Sequence, residues 1–157
     1  MRKIILIACM SKNKAIGNKG NLVINLKGDM QFFKEKTISH SVVMGRKTWD
    51  SLPKKHKPLP YRTNYVLSKK ENSTIDKVVT DWKNSGRNDN LYVIGGEEIY
   101  NKFLDLNLFD EAYITTVNQH IFEADTYFPY QKLLSKTKSM KIIESIKDRY
   151  SIIKFYS

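Results

Sequence analysis

The sequence contains a single cysteine and lacks any apolar run long enough to cross a membrane. Cys9 has no possible partner for an intrachain disulfide, and its place in the apolar run 4–10 predicts a thiol buried in the core. A transmembrane helix needs about 18 or more successive apolar residues, and a secretory signal needs a longer apolar segment than residues 4–9 supply. We therefore expect a cytoplasmic protein that does not contact a membrane.

Residues that support common kinds of catalysis are also scarce. His40, His56 and His120 are far apart, and no Ser/His/Asp set, carboxylate pair at acid–base spacing or metal-binding cluster is evident. The dinucleotide fingerprint G-x-G-x-x-G is absent as well. We expect no metal site and infer that a cofactor supplies the chemistry, while the protein supplies position and electrostatics.

Positive charge is present in excess, with a formal net charge of +11 at pH 7. Such a charge is compatible with nucleic-acid binding. However, the lysines are spread along the chain, and many adjoin Asn or Ser in predicted loops, which favours a solvated basic surface. That surface would attract a polyanionic small molecule, and no nucleic acid is required as a partner.

Apolar, β-prone segments alternate with helical patterns along the chain. The predicted strands are 4–9, 41–44, 64–67, 77–80, 91–94 and 111–117, with a C-terminal antiparallel hairpin formed by 140–146 and 150–156. Helices are predicted at 28–36 and after the glycines at 45 and 96, while 11–26 and 124–129 are predicted loops and 58–62 a stiff extended connection. This order predicts one α/β domain over 1–157, a three-layer sandwich with a mixed, mostly parallel central sheet flanked by helices.

Three predicted strand ends carry glycine, hydroxyl or basic residues. The pair Gly95-Gly96 lets the backbone approach a ligand closely, and the helix that follows offers its N-terminus to an anion. A tight strand-to-helix connection is the simpler explanation of one such pair. The other two strand ends carry Gly45, Arg46, Lys47 and Thr48, and Ser68, Lys69 and Lys70. Since ligands of open α/β sheets gather at the carboxyl ends of strands, the pattern predicts a site for a phosphorylated dinucleotide.

Asp29 is the carboxylate that the sequence singles out. It stands in the first turn of the predicted helix 28–36, one turn before Phe33 and just after the lid-like loop 11–26. An Asp at this position can simply complement the helix dipole. In a partly apolar pocket it can instead pair with the N–H groups of an amidine-like ring and favour protonation of a ring nitrogen.

The order and spacing of several segments resemble those of a known family. The segments are Ile16-Gly17, Asp29, Phe33-Lys34, Thr37, 43–49 (VMGRKTW), 58–64 (PLPYRTN), Leu67-Ser68, 93–100 (VIGGEEIY), Tyr113-Ile114-Thr115 and 125–129 (DTYFP). Together they make the chain similar, nearly end to end, to a dihydrofolate reductase of the bacterial or phage chromosomal type. The resemblance implies NADPH-dependent reduction of 7,8-dihydrofolate to 5,6,7,8-tetrahydrofolate, with hydride transfer to C6 and protonation at N5.

The resemblance also assigns the site residues. The implied catalytic set is Asp29, which would hold the pterin, with Thr115, which would support it, and Leu22. The other implied substrate contacts are Ile7, Ala8 and Phe33 around the pterin, Leu52 and Leu59 against the aminobenzoyl ring, and Arg62, assisted by Lys34, on the carboxylate of the glutamate tail. The implied partners are dihydrofolate, NADPH and antifolate inhibitors, with the chain acting as a monomer.

The implied NADPH site takes in all three strand ends and the lid-like loop. Its members are Ala8, Ile16, Gly17, Asn21, Gly45, Arg46, Lys47, Thr48, Leu67, Ser68, Lys69, Ile94, Gly95, Gly96, Ile99 and Tyr100. The resemblance further implies a cis peptide between the two glycines of the 93–100 segment. It places the residues at 16, 17 and 21 in a mobile loop and assigns Asp125 to the loop that braces it.

Two features depart from the family pattern. Val23-Ile24 replaces the usual Pro-Trp before the helix, and Ile24 cannot donate a hydrogen bond as that Trp does. Glu97 and Glu98 add negative charge beside the expected phosphate cradle, for which Lys47, Lys69 and Lys70 would compensate. The alternatives are a related pyrimidine reductase of riboflavin synthesis, a non-catalytic or weakly active binding protein of the same fold, and a basic nucleic-acid binder.

Overall fold

A computed structural model describes residues 2–69 and 73–157; Lys70 lies outside these ranges. In chain order the strands are β1 (Ile4–Ser11), β2 (Ala15–Asn18), β3 (Asn21–Leu22), β4 (Ser41–Gly45), β5 (Thr63–Leu67), β6 (Leu91–Val93), β7 (Glu111–Val117), β8 (Thr126–Tyr127), β9 (Ser139–Ile146) and β10 (Tyr150–Tyr156). The helices are α1 (Lys27–Thr37), α2 (Arg46–Ser51), α3 (Ile75–Lys83), α4 (Glu97–Asp105) and α5 (Tyr130–Ser135), and Lys54–His56 forms a single 3-10 turn.

Seven of these strands form one central sheet in the order β5-β4-β6-β1-β7-β10-β9. The pairs β1–β6, β1–β7, β4–β5 and β4–β6 are parallel, whereas β10 runs antiparallel to both β7 and β9. A mixed, mostly parallel sheet that closes with a C-terminal hairpin is therefore confirmed. The three short strands form a separate small sheet, β3-β2-β8.

Side chains of β1 alternate between two apolar layers, as the two-residue period of a strand requires. Ile5 and Ile7 pack on one side in a cluster that includes Phe33 of α1 and Trp49 of α2. The other side carries Leu6, with apolar side chains of α3, α4 and α5 packed in the same cluster. The sheet is thus covered by helices on both faces, which confirms the predicted three-layer sandwich.

The predicted strand at 77–80 is wrong, because these residues lie in α3. Ile75, Val78, Val79 and Trp82 follow the three- and four-residue spacing of a helix, and the last three are buried. The Thr74 side chain caps the helix by accepting a hydrogen bond from the backbone N–H of Lys77 at 3.2 Å. Val78 and Val79 alone match the β-branched composition of a strand, and the helical spacing becomes evident only with the flanking residues.

Other boundaries also differ from the predictions. The loop predicted at 11–26 contains β2 and β3, the loop at 124–129 contains β8, and α5 follows at a place where no element was predicted. The connection at 58–62 is not extended throughout, since Pro60 and Tyr61 form a turn in which Tyr61 has a φ of 59°. Within residues 2–69 and 73–157, no helix combines the length and apolar character needed to span a membrane.

Candidate active site

Asp29 lies in the first turn of α1, near Cys9 and Thr115 of the central sheet. Cys9 of β1 and Thr115 of β7 are partners in the parallel register of these strands. The Thr115 hydroxyl and the Cys9 thiol both lie close enough to the Asp29 carboxyl group to lower its pKa. Thr115 thus lies near Asp29, where its predicted supporting role requires it, and Cys9 is a second neighbour that the motifs did not indicate.

Burial controls the acidity of this carboxyl group. It raises the pKa of Asp29 above its usual range, because desolvation disfavours the ionised form, while the neighbouring Thr115 and Cys9 lower the pKa in part. Within the described part of the chain, Asp29 forms no salt bridge. A partly buried carboxylate of this kind is suited to pair with N–H donors of a ligand.

Cys9 is less buried than its sequence context indicates. We expected a buried core thiol, but Cys9 is partly exposed, whereas every other residue of β1 is buried. Asp29 of α1 is a neighbour of this thiol. An apolar run carries no signal for such an opening, because it depends on which helix packs over the strand.

The apolar residues expected to line the substrate pocket gather on the α1 side of the sheet. Ile7 is buried in the cluster on that side, and Phe33, Leu52 and Leu59 pack against it as partly buried residues. Ala8, which follows Ile7, is buried in the cluster on the opposite side. Four of the five predicted apolar contacts thus share one wall, whereas the side chain of Ala8 lies on the opposite side of the sheet.

Arg62 is fixed at the other end of α1. Its Nε donates to Thr37 Oγ1 at 2.8 Å, its Nη1 donates to the backbone oxygen of Pro60 at 3.0 Å, and its guanidinium carbon lies 5.8 Å from the centre of the Phe33 ring. Burial lowers the pKa of Arg62, but a guanidinium remains charged in proteins. Thr37 was part of a recognised motif, although its role as a partner of Arg62 was not foreseen.

Two predicted members of the substrate site lie apart from the apolar wall around Ile7. Leu22 is 79% exposed in β3, and Lys34 is exposed on α1. Neither belongs to the apolar cluster around Ile7. In this structure the predicted roles of Leu22 and Lys34 therefore have no supporting contact.

The glycine junctions of β4 and β6 lie against each other. The N–H of Gly45 donates to the backbone oxygen of Gly95 at 2.9 Å, and the Gly95-Gly96 peptide is cis, as expected. A Cβ on Gly45 would lie 2.9 Å from Ile99 Cγ1, and a Cβ on Gly96 would lie 3.6 Å from Thr48 Oγ1. Side chains at these glycines would fill the space between the N-termini of α2 and α4.

The loop expected to be mobile is held by β8 and its flanking residues. The N–H of Asp125 donates to the Gly17 oxygen at 3.0 Å, and Asp125 Oδ2 accepts from the N–H of Lys19 at 2.9 Å. A Cβ on Gly17 would come within 2.5 Å of Thr126 Oγ1. The predicted brace by Asp125 is confirmed as a contact, and the close approach explains why glycine is required at position 17.

Comparisons with known proteins agree with this architecture. The family model described as dihydrofolate reductase matches residues 3–155. The chain belongs to the dihydrofolate reductase family. It is 36% identical over 142 residues to a dihydrofolate reductase of Buchnera aphidicola from Acyrthosiphon pisum, with 87% of this chain and 85% of the relative covered. It is also 32% identical over 155 residues to a dihydrofolate reductase of Candida albicans, covering 86% of this chain and 81% of the relative.

Glu97 and Glu98, the acidic residues noted as a departure from the dihydrofolate reductase pattern, both have partners within the fold. Glu97 accepts a hydrogen bond from the backbone N–H of Tyr127, which ties α4 to β8. Glu98 forms an ion pair with Lys102 at 3.0 Å, and Lys69 and Lys47 are close enough to contribute, so the pKa of Glu98 is lowered. The negative charge beside the glycine junctions is therefore offset by three lysines.

The second departure from the dihydrofolate reductase pattern lies in the connection between β3 and α1. Ile24 is half buried there, and the N–H of Val23 donates to the backbone oxygen of Ile16 at 3.3 Å. The segment is therefore attached to β2 without the Pro-Trp pair.

Proposed function

We propose that the chain catalyses the NADPH-dependent reduction of 7,8-dihydrofolate to 5,6,7,8-tetrahydrofolate. The observation that carries the proposal is a stripe along α1. Asp29, Phe33 and Thr37 are spaced by four residues and therefore follow one face of the helix. With a rise of 1.5 Å per residue, the stripe is about 12 Å long. It has a carboxylate at one end, an aromatic ring in the middle and, through Thr37, the Arg62 guanidinium at the other end.

This arrangement suits an elongated ligand with a nitrogen-rich ring at one end and a carboxylate at the other. Asp29 would accept hydrogen bonds from the pterin amino group and ring N–H, with Thr115 supporting it. Phe33, Leu52 and Leu59 would contact the middle of the substrate. Arg62 would bind the carboxylate of the glutamate tail in bidentate fashion. An antifolate with an amidine-like edge would compete for Asp29.

Asp29 also has an electrostatic role in this proposal. An ionised carboxylate in a partly desolvated site stabilises positive charge on a nearby ring. Asp29 would therefore favour protonation at N5 of dihydrofolate, which makes the adjoining C6 a better hydride acceptor. The raised pKa of Asp29 also lets the carboxyl group exchange a proton closer to neutrality than an exposed Asp can.

The glycine junctions fit the cofactor that the family name implies. The space that Cβ atoms at Gly45 and Gly96 would fill lies between two helix N-termini, where backbone N–H groups favour phosphate. Arg46, Lys47 and Lys69 are exposed nearby and would neutralise further phosphate charge. When bound, NADPH supplies the hydride. The predicted cofactor set, including Asn21, Leu67, Ser68, Ile94 and Tyr100, remains part of this proposal.

The test is an assay of the purified chain with dihydrofolate and NADPH, in which NADPH oxidation is followed by absorbance. The matched variant is Asp29→Asn, which retains the shape of the side chain and removes its charge. Loss of a group that acts in proton transfer lowers turnover by about 10²–10⁴-fold. We expect such a loss with little change in NADPH affinity, because Asp29 acts on the pterin.

Other outcomes would contradict parts of the proposal. Equal losses in turnover and NADPH affinity would remove Asp29 from the pterin site. Absence of turnover in the unmodified chain, with clear binding of both ligands, would favour a non-catalytic member of the family. Ile24→Trp would then test whether the departure from the family pattern is responsible.

A further inference from the structure

An open cavity lies at the amino ends of β4, β5 and β6, at the edge of the sheet opposite to the glycine junctions. Because these three strands are neighbouring and parallel, the connections that lead into them meet at this edge. The cavity has a volume of about 270 Å³, and its walls include His40, Arg62, Thr63 and Arg87. Of these four residues, Arg62 alone has a role in the proposed reaction, so the cavity continues the site beyond Arg62.

Hydrogen bonds fix the walls of this cavity. The N–H of Ser39 donates to the backbone oxygen of Tyr61 at 2.9 Å, and the N–H of Thr63 donates to that of His40 at 3.1 Å. These two bonds join the connection before β4 to the segment that leads into β5. The N–H of Asn90 donates to Nδ1 of His40 at 2.9 Å, which ties in the connection before β6. Because Nδ1 accepts, Nε2 of the neutral His40 ring carries the proton and can donate to a ligand.

The two arginines of the cavity keep unused N–H groups. Nε of Arg87 donates to Asp89 Oδ2 at 3.4 Å, and its Nη2 donates to Ser41 Oγ at 3.2 Å and to Tyr65 Oη at 2.7 Å. Within residues 2–69 and 73–157, neither Nη1 of Arg87 nor Nη2 of Arg62 makes a hydrogen bond. Both guanidinium groups are therefore held in place by protein contacts while they retain donors for a ligand.

Positive charge predominates around the cavity. Among the described residues, the charged groups that line it are Arg62, Arg87 and Asp89. Asp89 is buried, and its carboxylate is shared between Arg2 at 3.3 Å and Arg87 at 3.4 Å. Its charge is thus offset by two guanidinium groups, while Arg62 forms no salt bridge within the described part of the chain. The cavity consequently favours an anionic ligand.

We infer that the cavity is a second carboxylate subsite, which takes the γ-carboxylate of the glutamate tail while Arg62 holds the α-carboxylate. The inference rests on the proposed function, because the tail reaches this edge of the sheet only if the pterin is bound at Asp29. A bidentate pair with Arg62 uses one carboxylate, so the second carboxylate of glutamate requires other donors. Nη1 of Arg87 and Nε2 of His40 would supply them. The cavity is smaller than the range of about 300–1,000 Å³ that accommodates a whole small ligand, and it suits one arm of a longer one.

The first test adds negative charge to the cavity without removing a contact. Thr63 lines the cavity, and its side chain makes no hydrogen bond within the described part of the chain. Thr63→Glu should repel the γ-carboxylate, whereas the matched variant Thr63→Gln has nearly the same size and no charge. Calorimetric titration should give a Kd ratio between the two variants that is about three- to tenfold larger for dihydrofolate than for its γ-carboxamide. The amide lacks the charge on which the subsite acts.

The second test removes a donor from the cavity. The unmodified chain should bind dihydrofolate about three- to tenfold more tightly than the γ-carboxamide, whereas Arg87→Gln should bind the two ligands almost equally. Because Arg87 also holds Ser41 and Tyr65, the comparison is made between two ligands on the same variant, which cancels a general loss of structure. Lys77→Gln, at an exposed position of α3, controls for the loss of one positive charge and should keep the preference of the unmodified chain.

Failure of this inference and failure of the proposed function give different results. Equal Kd ratios for dihydrofolate and its γ-carboxamide in the two Thr63 variants would overturn the inference, even if dihydrofolate is reduced normally. Inorganic phosphate is the probe for a free anion, and phosphate binding that requires Arg87 but does not weaken dihydrofolate binding would also overturn the assignment to the tail. If the two ligands are distinguished as expected but dihydrofolate is not reduced, the proposed reaction fails and the subsite is supported. Thermal unfolding of each variant would show that the comparison concerns folded protein.

Discussion

Arg62 donates a hydrogen bond from Nε to Thr37 Oγ1 at 2.8 Å, and the Thr37 hydroxyl in turn donates to the backbone oxygen of Phe33 at 2.8 Å. Thr37 is fully buried in the last turn of α1, while Arg62 reaches it from the connection before β5. The hydroxyl therefore fixes the guanidinium against the helix that carries Asp29. The distance between the two ends of the proposed substrate site is set by the length of α1.

Replacing Thr37 with Val should weaken dihydrofolate binding without removing any charge. Val has nearly the same shape but cannot accept the hydrogen bond from Arg62, so the guanidinium loses its fixed orientation. Loss of one such bond should raise the KM for dihydrofolate by about three- to tenfold, with little change in the KM for NADPH. Steady-state kinetics would measure both constants. Thr80→Val, at an exposed position of α3, is the control. An equal rise in KM for a pteridine without the glutamate tail would contradict this role.

Arg62→Ala should weaken the binding of dihydrofolate much more than the binding of a pteridine without a glutamate tail. A bidentate, charge-assisted pair stabilises binding by about 1.5–3 kcal/mol, so dihydrofolate binding should weaken by at least about tenfold. A pteridine that lacks the glutamate tail should be bound almost as well as by the unmodified chain. Arg62→Lys keeps the charge but loses the planar fork, and its effect should be intermediate. Titration of both ligands by fluorescence quenching would test this, and equal losses for the two ligands would remove Arg62 from the site.

Asp29→Asn should make the chain more stable at neutral pH while lowering its activity. The folded state raises the pKa of Asp29 above its ordinary value of 3.8, mainly through burial. A carboxyl group with a raised pKa holds its proton more tightly in the folded state, so stability falls as pH rises through the interval between the two pKa values. The Asn side chain does not titrate, so the variant does not lose this stability as pH rises. Urea unfolding should give a higher midpoint for the variant than for the unmodified chain at neutral pH. The difference between the two midpoints should shrink below the ordinary pKa of Asp. A variant that is less stable at neutral pH would contradict the raised pKa of Asp29.

The sequence predicted the parts of this molecule that depend on local patterns. Continuous apolar runs indicated the buried strands, such as the one at 4–9, because both faces of a central parallel strand are covered. Gly45 and Gly95-Gly96 were predicted to contribute to one ligand site, since ligands of open α/β sheets gather at the carboxyl ends of strands. In the structure these two strand ends are in contact through the hydrogen bond between Gly45 and Gly95.

The contacts around Asp29 and Arg62 could not be predicted from local patterns. Cys9 and Thr115 become neighbours through the pairing of strands distant in sequence, and Thr37 and Arg62 are 25 residues apart. The family resemblance named Asp29, Arg62 and Thr115 and paired Thr115 with Asp29, but it did not indicate Cys9 near the carboxylate or Thr37 as the partner of the guanidinium. The exposure of Leu22 was likewise not predictable, because it depends on how β3 packs in the folded chain.

Asp89 should make stability depend on pH in the opposite sense to Asp29. Its side chain lies away from the glycine junctions and accepts hydrogen bonds from Ser41 at 2.6 Å, Trp82 at 3.1 Å and Arg87 at 3.4 Å. Burial alone would raise the pKa of Asp89, but these partners outweigh it and the pKa is lowered. A carboxyl group with a lowered pKa contributes stability above its unfolded pKa, and that contribution is lost as pH falls through the folded pKa.

Asp89→Asn should therefore lower the free energy of unfolding at neutral pH. As pH falls, the variant should lose less stability than the unmodified chain. Breaking a buried ionic network leaves unpaired groups and costs about 3 kcal/mol. Urea unfolding followed by tryptophan fluorescence, repeated from neutral to acidic pH, would measure the effect. Glu111, whose pKa is also lowered, loses its ion pairs in acid too, so the difference between variant and unmodified chain isolates Asp89. Asp81→Asn, at an exposed position of α3, controls for the change in net charge. A constant difference in stability across the pH range would show that Asp89 does not titrate with a lowered pKa.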